Sequence, residues 1–225
     1  EGAGKSDRGH WQTVTFNTDS MIHLDRKIAQ RVRNSGSSFY WAMRLLDAEK
    51  RHAMYAVYAF CREVDDIADG KDAETKKRED LNKWREEIDR VSAGKPISDI
   101  GSALRWIFTR YPLQKADFLA IIDGMEMDAP KYFQITDRAN LELYCDRVAC
   151  TVGRISNAIC GIAPEDGDLL AKSLGEALQL TNILRDVAED AKRYHVYLPE
   201  ELLKKNGYAS PSPTLAIEDP AVART

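Results

Sequence analysis

The chain has 225 residues, 44% of them hydrophobic, with 36 acidic and 32 basic side chains for a net charge of -4 at pH 7. That length allows one domain with a sizeable core; the negative balance and scattered Lys and Arg argue against a nucleic-acid surface, and no run reaches the 18 apolar residues of a membrane span. Cys61, Cys145, Cys150 and Cys160 lack C-x-x-C spacing and fall in helical, largely apolar contexts, so they are expected as buried free thiols of a reducing compartment, not as disulfides or a zinc site.

Glu1 to Ser20 is polar, glycine-containing and aperiodic, without the apolar stretch of a signal peptide. It is expected to be a leader outside the fold, with residues 21–225 forming a single all-α domain. Helices are predicted near residues 22–33, 37–46, 48–69, 73–93, 98–110, 115–129, 138–161 and 166–193, punctuated at Gly94-Lys95-Pro96, Pro112, Pro130 and Pro164. No strand-like alternation or repeat persists, so a helical bundle is the expected class.

In the helix over 48–69, Asp47 is the expected N-cap and Gly70 the stop. Met54, Tyr58, Arg62, Asp65 and Asp69 follow at 4-4-3-4 spacing and share one face. The last turn, Asp65-Asp66-Ile67-Ala68-Asp69, carries three aspartates where the macrodipole prefers cations. Asp65 and Asp69 also repel at i,i+4. Each effect costs a few tenths of a kcal/mol, up to about 1. A sequence selected for stability alone would avoid both, and such local rule-breaking marks functional sites. The Lys76-Lys77-Arg78 run that follows reads as a solvated helix face.

The helix over 138–161 contains a small-residue surface made by Ala149, Cys150, Thr151, Gly153, Ser156 and Ala158. Gly in a helix interior is about 1 kcal/mol worse than Ala, so either another helix approaches closely at Gly153 or the space is reserved for a ligand. In the last long helix, Gln179, Asn182, Asp186 and Asp190 fall at 3-4-4 spacing on one face. Leu178, Leu180, Ile183, Leu184 and Val187 are expected to cover much of the rest. A polar seam between apolar flanks is unfavourable to bury unless its groups are paired or bind metal. Aspartates four apart hold hard divalent cations through oxygen, and Mg²⁺ typically shares its shell with substrate phosphates. Arg185 and Arg193 suit diphosphate oxygens or ion pairs with Glu189.

These segments together resemble a known family. Ser37-Ser38-Phe39-Tyr40 and the run Tyr55 to Asp69 resemble the first signature of the squalene/phytoene synthases, and Gln179 to Asp190 the second. Leu143 to Ala149, followed by Val152-Gly153-Arg154, is similar to the family's central helix. The wording of residues 37–70 and 144–154 is most similar to the bacterial branch that makes presqualene diphosphate in hopanoid biosynthesis. The resemblance implies an isoprenoid-synthase helical bundle with a central cavity. The activity it implies is Mg²⁺-dependent head-to-head (1′-1) condensation of two farnesyl diphosphates or another prenyl diphosphate. Phytoene, squalene or dehydrosqualene synthesis, and a non-catalytic assembly scaffold, are the alternatives.

Carried over by position, the resemblance makes Asp65, Asp69, Asn182, Asp186 and Asp190 ligands of two or three Mg²⁺ ions or their neighbours. It sets Ser35, Ser38, Tyr58 and Arg62 at the diphosphate end, with Gln179, Arg185 and Tyr144 close to the reacting carbons or phosphates and Tyr197 pointing toward the same region. It also suggests a prenyl tail beside Gly153. NADPH is not expected for the first half-reaction. Two departures touch the diphosphate region: Ser35 stands where some relatives carry histidine, and Tyr194-His195 replaces a common Gly-Arg. Family members usually continue through further helices, so the chain is expected to be C-terminally short. A cytoplasmic location is expected, with peripheral contact at the inner membrane face and downstream isoprenoid enzymes as partners.

Overall fold

The computed structural model describes residues 28–30, 32–33, 39–208, 219–223 and 225. Among them the chain forms α1 (Phe39–Met43), α2 (Ala48–Asp69), α3 (Glu74–Ser92), α4 (Asp99–Phe108) and α5 (Lys115–Asp128). There follow β1 (Phe133–Gln134), α6 (Arg138–Cys145), a π-helical turn (Asp146–Cys150), α7 (Thr151–Cys160) and α8 (Pro164–Lys192). The described chain ends with β2 (His195–Val196), α9 (Glu200–Lys205) and α10 (Pro220–Ala223). The bundle is all-α as expected; the expected leader and Ser35, Ser37 and Ser38 lie outside the described residues.

Local chemistry accounts for the helix ends. The Asp47 carboxylate accepts from the Lys50 backbone N–H at 2.9 Å and starts α2. Pro164, expected as a break, instead occupies the first turn of α8, where its missing N–H has no partner to lose. The predicted helix over 138–161 runs through, but its middle is a π turn. There the Thr151 hydroxyl donates to the Asp146 carbonyl at 2.8 Å.

One core gathers α2 to α5 and α7 around Phe60, Leu81, Ile88, Leu104, Ile107, Phe118, Ile121 and Ile122. A second lies between α6, α8 and the chain beyond, around Tyr144, Cys145, Ile183, Val196, Leu198 and Leu203. The two-residue strands, not anticipated from sequence, pair in parallel with Phe133 opposite His195 and Gln134 opposite Val196. That pairing ties the segment leaving α8 to the segment leaving α5.

Several expectations are corrected by the packing. At Gly153 a Cβ would meet Ala171 Cβ at 3.0 Å, so the position serves close approach of α7 and α8, and the prenyl-tail reading there is withdrawn. Gly175 of α8 answers it by lying against the backbone of Cys150. Leu178, Leu180 and Leu184 do not bury their flank of α8; they are exposed, because no described element packs against it, and only Ile183 is buried. The four cysteines are free, yet only Cys145 and Cys150 are buried; Cys61 is half-buried and Cys160, at the end of α7, is exposed.

Candidate active site

α2 and α8 share no extended packing seam; α5, the π turn and α7 lie between them. Their acid-bearing ends are spanned by one ion pair, in which Arg193 Nη2 donates to Asp69 Oδ1 at 2.5 Å. Asp65 and Asp69 sit on α2 as the spacing predicts, Asp65 half-buried and Asp69 exposed. Asp186 and Asp190 are half-buried on α8, with Asn182 one turn and Gln179 two turns before Asp186. Neither amide hydrogen-bonds to another described residue, so both are available to a ligand.

The electrostatics record crowding of negative charge. Burial first, and then the neighbouring Asp69, push the Asp65 carboxyl up to about 6 despite Arg62. Burial, and then Asp186, push Asp190 up to about 6 as well, and Asp69 contributes from across the gap. The remaining acids are held by cations. Arg62 donates to Asp65 at 3.0 Å and to Asp66 at 2.7 Å. Arg185 pairs with Asp186 through two bonds of 2.7 and 2.6 Å, which lowers the Asp186 pKa; its carboxylate partner is therefore Asp186 and not Glu189, the one alternative to diphosphate weighed from spacing. Arg193 likewise reaches Asp69 and not Glu189. Tyr58 lies half-buried against the first core. Beside the Arg193–Asp69 pair opens a groove of about 570 Å³ whose walls include Lys71, Lys77, Lys131 and Lys192.

Tyr144 and Tyr197, placed at the site by resemblance, converge on a residue the sequence reading missed. Asp128, the last residue of α5, is 7% exposed. Its Oδ2 accepts from the Tyr144 hydroxyl and its Oδ1 from the Tyr197 hydroxyl, each at 2.8 Å. Phe133 packs against both tyrosine rings, whose centroids are 5.0 Å apart. The β1–β2 pairing brings Tyr197 there, and it also buries His195, whose Nε2 contacts the Pro130 carbonyl at 3.2 Å. Tyr194 makes the turn into β2 with φ 63°, a left-handed conformation that glycine adopts without strain and tyrosine does not. A signal for Asp128 was present: it is an acid in the last turn of a helix, the same violation that singled out Asp65 and Asp69.

Burial pushes Asp128 up to about 7 against the pull of its two phenol donors, with Asp69 and Asp65 adding to the rise. Below about pH 4 the folded and unfolded chains both hold this proton. From there to about 7 the unfolded chain releases it while the folded chain keeps it, so stability falls as pH rises, by about 1.4 kcal/mol per unit. Asp128→Asn removes that contribution. The stability of the variant relative to the parent therefore climbs between pH 5 and 7 in urea denaturation; parallel curves would exclude Asp128 as the titrating group.

The oxygen donors of Asp65, Asp69, Asp186 and Asp190, with the neutral carbonyl of Asn182, fit Mg²⁺ in chemistry. Among the described residues no three His, Cys, Asp or Glu side chains converge closely enough to enclose a metal ion. Ions between the helices would complete their shells with water and phosphate, as Mg²⁺ does.

Aspartate pairs on two separated helices of an all-α bundle offer a hard oxygen donor set, and comparison with known proteins gives the family. The squalene/phytoene synthase family model matches residues 32–224, and the chain belongs to that family. It is 47% identical over 190 residues to the presqualene diphosphate synthase of Rhodopseudomonas palustris, covering 83% of this chain and 67% of that one. It is 48% identical over 172 residues to the corresponding protein of Zymomonas mobilis, covering 76% of this chain and 59% of that one. The chain thus spans about three fifths to two thirds of the length of these relatives. The crystal structure of a dehydrosqualene synthase superposes with a TM-score of 0.78 at 31% identity, over 91% of this chain and 71% of that one. Among the described residues no helix is long and apolar enough to cross a membrane.

Proposed function

We propose that this domain carries out the Mg²⁺-dependent head-to-head condensation of two farnesyl diphosphates to presqualene diphosphate. The observation that carries the reading is the pair of aspartate ladders on α2 and α8, whose ends are joined by the Arg193–Asp69 ion pair and lie near enough for Asp69 to act on Asp190. The similarity to presqualene diphosphate synthases selects the substrate and product within the family. Retention of all four aspartates speaks against a scaffold.

Asp65, Asp69, Asn182, Asp186 and Asp190 would hold the Mg²⁺ ions, which neutralise the diphosphate leaving group. Arg62, Arg185 and Arg193 exchange their present carboxylate partners for phosphate oxygens, for which the guanidinium fork is suited. Ser35, Ser38, Tyr58 and Gln179 are assigned to the substrate's diphosphate end and first carbons. The lysines of the groove beside Arg193 supply further positive charge for a diphosphate entering or leaving. Departure of diphosphate from one farnesyl chain leaves an allylic cation. The double bond of the second chain attacks it, and transfer of a proton to the released diphosphate, or to a hydroxyl near it, closes the cyclopropane. The packed aromatic cluster of Phe133, Tyr144 and Tyr197 would favour such a cation and exclude water that would quench it.

The test is incubation with radiolabelled farnesyl diphosphate and Mg²⁺ without NADPH, using this chain beside a C-terminally extended one. A cyclopropyl C30 diphosphate is expected. Turnover of a longer prenyl diphosphate alone would reassign the domain to phytoene synthesis, and no diphosphate binding by either chain would return the scaffold reading. The amphipathic substrates and product also call for peripheral membrane contact at the cytoplasmic face and hand-over to a downstream isoprenoid enzyme. Liposome flotation checks the first, and the chain remaining at the bottom of the gradient would refute it.

A further inference from the structure

Asp128 is a carboxylate buried at the one helix end where the macrodipole opposes it, and the condensation chemistry described above assigns it nothing. Three well-packed apolar side chains would fill the volume of Asp128, Tyr144 and Tyr197 without desolvating a charge. The arrangement found instead is specific. Each carboxylate oxygen takes one phenol, Tyr144 on Oδ2 and Tyr197 on Oδ1, both at 2.8 Å. The three residues come from α5, α6 and the segment after β2, so nothing local enforces the cluster. It lies close enough to the acid ladders that Asp69 and Asp65 act on Asp128, and Asp190 acts on Tyr197.

We infer that Asp128 is a positioning residue which engages both phenol protons, so that Tyr144 and Tyr197 present oxygen lone pairs, and no O–H, to the space where the prenyl cation forms. The inference rests on the condensation reading. A phenol O–H has its dipole's positive end at the proton, so aimed at a developing cation it would repel; a lone pair attracts. Two O–H bonds directed at one carboxylate leave only the attractive orientation. Asparagine reverses half of the pattern. Its carbonyl still accepts one phenol, but its NH₂ donates to the other, whose own O–H must turn outward.

The experiment compares wild type, Asp128→Asn and Asp128→Leu in whichever chain length turns over farnesyl diphosphate. It reads kcat, KM, the ratio of cyclopropyl diphosphate to water-quenched farnesyl alcohols, and thermal midpoint at pH 7.5. Asp128→Asn is expected to lower kcat about 10- to 100-fold, the scale seen when supporting hydrogen-bond partners are removed, with KM within about 2-fold. The alcohol fraction rises and the midpoint stays level or increases. Asp128→Leu, which frees both O–H groups, is expected to lower kcat further while remaining folded. The tyrosine C–O band in infrared difference spectra should move in Asp128→Asn as one phenol changes from donor to acceptor. Wild-type kcat and product ratio in Asp128→Asn, or kcat losses that follow a falling midpoint in both variants, would overturn the role. A wild-type chain that yields no product from any prenyl diphosphate would overturn the condensation reading, and the role with it.

Discussion

Replacing Asp65 and Asp186 together by asparagine is expected to lower kcat/KM for the prenyl diphosphate by at least about 10³-fold, the scale on which one group stabilising transition-state charge acts. The fold should survive. Both side chains are partly exposed, and Asp65 is opposed by Asp69 at i,i+4. Asparagine at 65 removes that repulsion and so offsets the loss of the Arg62 contact, worth at most about 1 kcal/mol at such an exposed site. Arg185 loses its partner in the same way, at a helix surface where water replaces it. The expected pattern is therefore an unchanged or slightly raised melting temperature beside a collapsed activity, the separation that marks residues selected against stability. Calorimetric titration of inorganic diphosphate with Mg²⁺ present measures the binding half directly. Undiminished binding in the double variant would show that the two ladders do not hold the metal.

Gly175→Ala should destabilise the fold, although helix propensity alone points the other way. In an open helix the change gains about 1 kcal/mol. Here the added Cβ would sit 2.8 Å from both the nitrogen and the Cα of Cys150, and 2.9 Å from its sulfur. Those are mostly backbone atoms and cannot swing aside, so α8 must move off the π turn. Overpacking of this kind costs typically 1–3 kcal/mol, occasionally more. The expected result is a net loss of about 1 kcal/mol and a midpoint lower by about 3 °C for a domain of this size. Because α8 carries Asp186 and Asp190 while Tyr144 lies just before the π turn, activity should fall more steeply than stability. Urea denaturation and a turnover assay on the same preparation decide it; a stabilised Gly175→Ala chain would mean that the two helices do not approach as described. Gly153→Ala, against Ala171, is the milder companion, since a Cβ there meets its nearest atom at 3.0 Å.

Much of this site can be read from local order. The 3.6-residue period places Asp65 with Asp69, and Asp186 with Asp190, before any tertiary contact is known. The rule that helix C-termini disfavour acids singles out the first cluster, and applied to α5 it also singles out Asp128. The same local order misled where the partner mattered. The leucines flanking the α8 ladder have the period of a buried helix, yet Leu178 and Leu184 are exposed among the described residues. The small residues of the central helix fitted a lined tail cavity as well as a close helix contact, and Ala171 against Gly153 chose the contact. Arg193 stood within reach of Glu189 by helical spacing and pairs instead with Asp69, 124 residues earlier.

What the amino-acid order determined by itself was therefore the all-α class, the helix start capped by Asp47, and the two acid ladders with their shared faces. These depend on backbone hydrogen bonding and side-chain direction within a few residues. Only the tertiary structure decided that Arg193 at the end of α8 pairs with Asp69 at the end of α2, and that Asp128 gathers Tyr144 and Tyr197. Those partners are 16 to 124 residues apart in the chain. Their meeting follows from how closely Gly153 and Gly175 let α7, the π turn and α8 approach, and from a two-residue strand pairing too short to show any period.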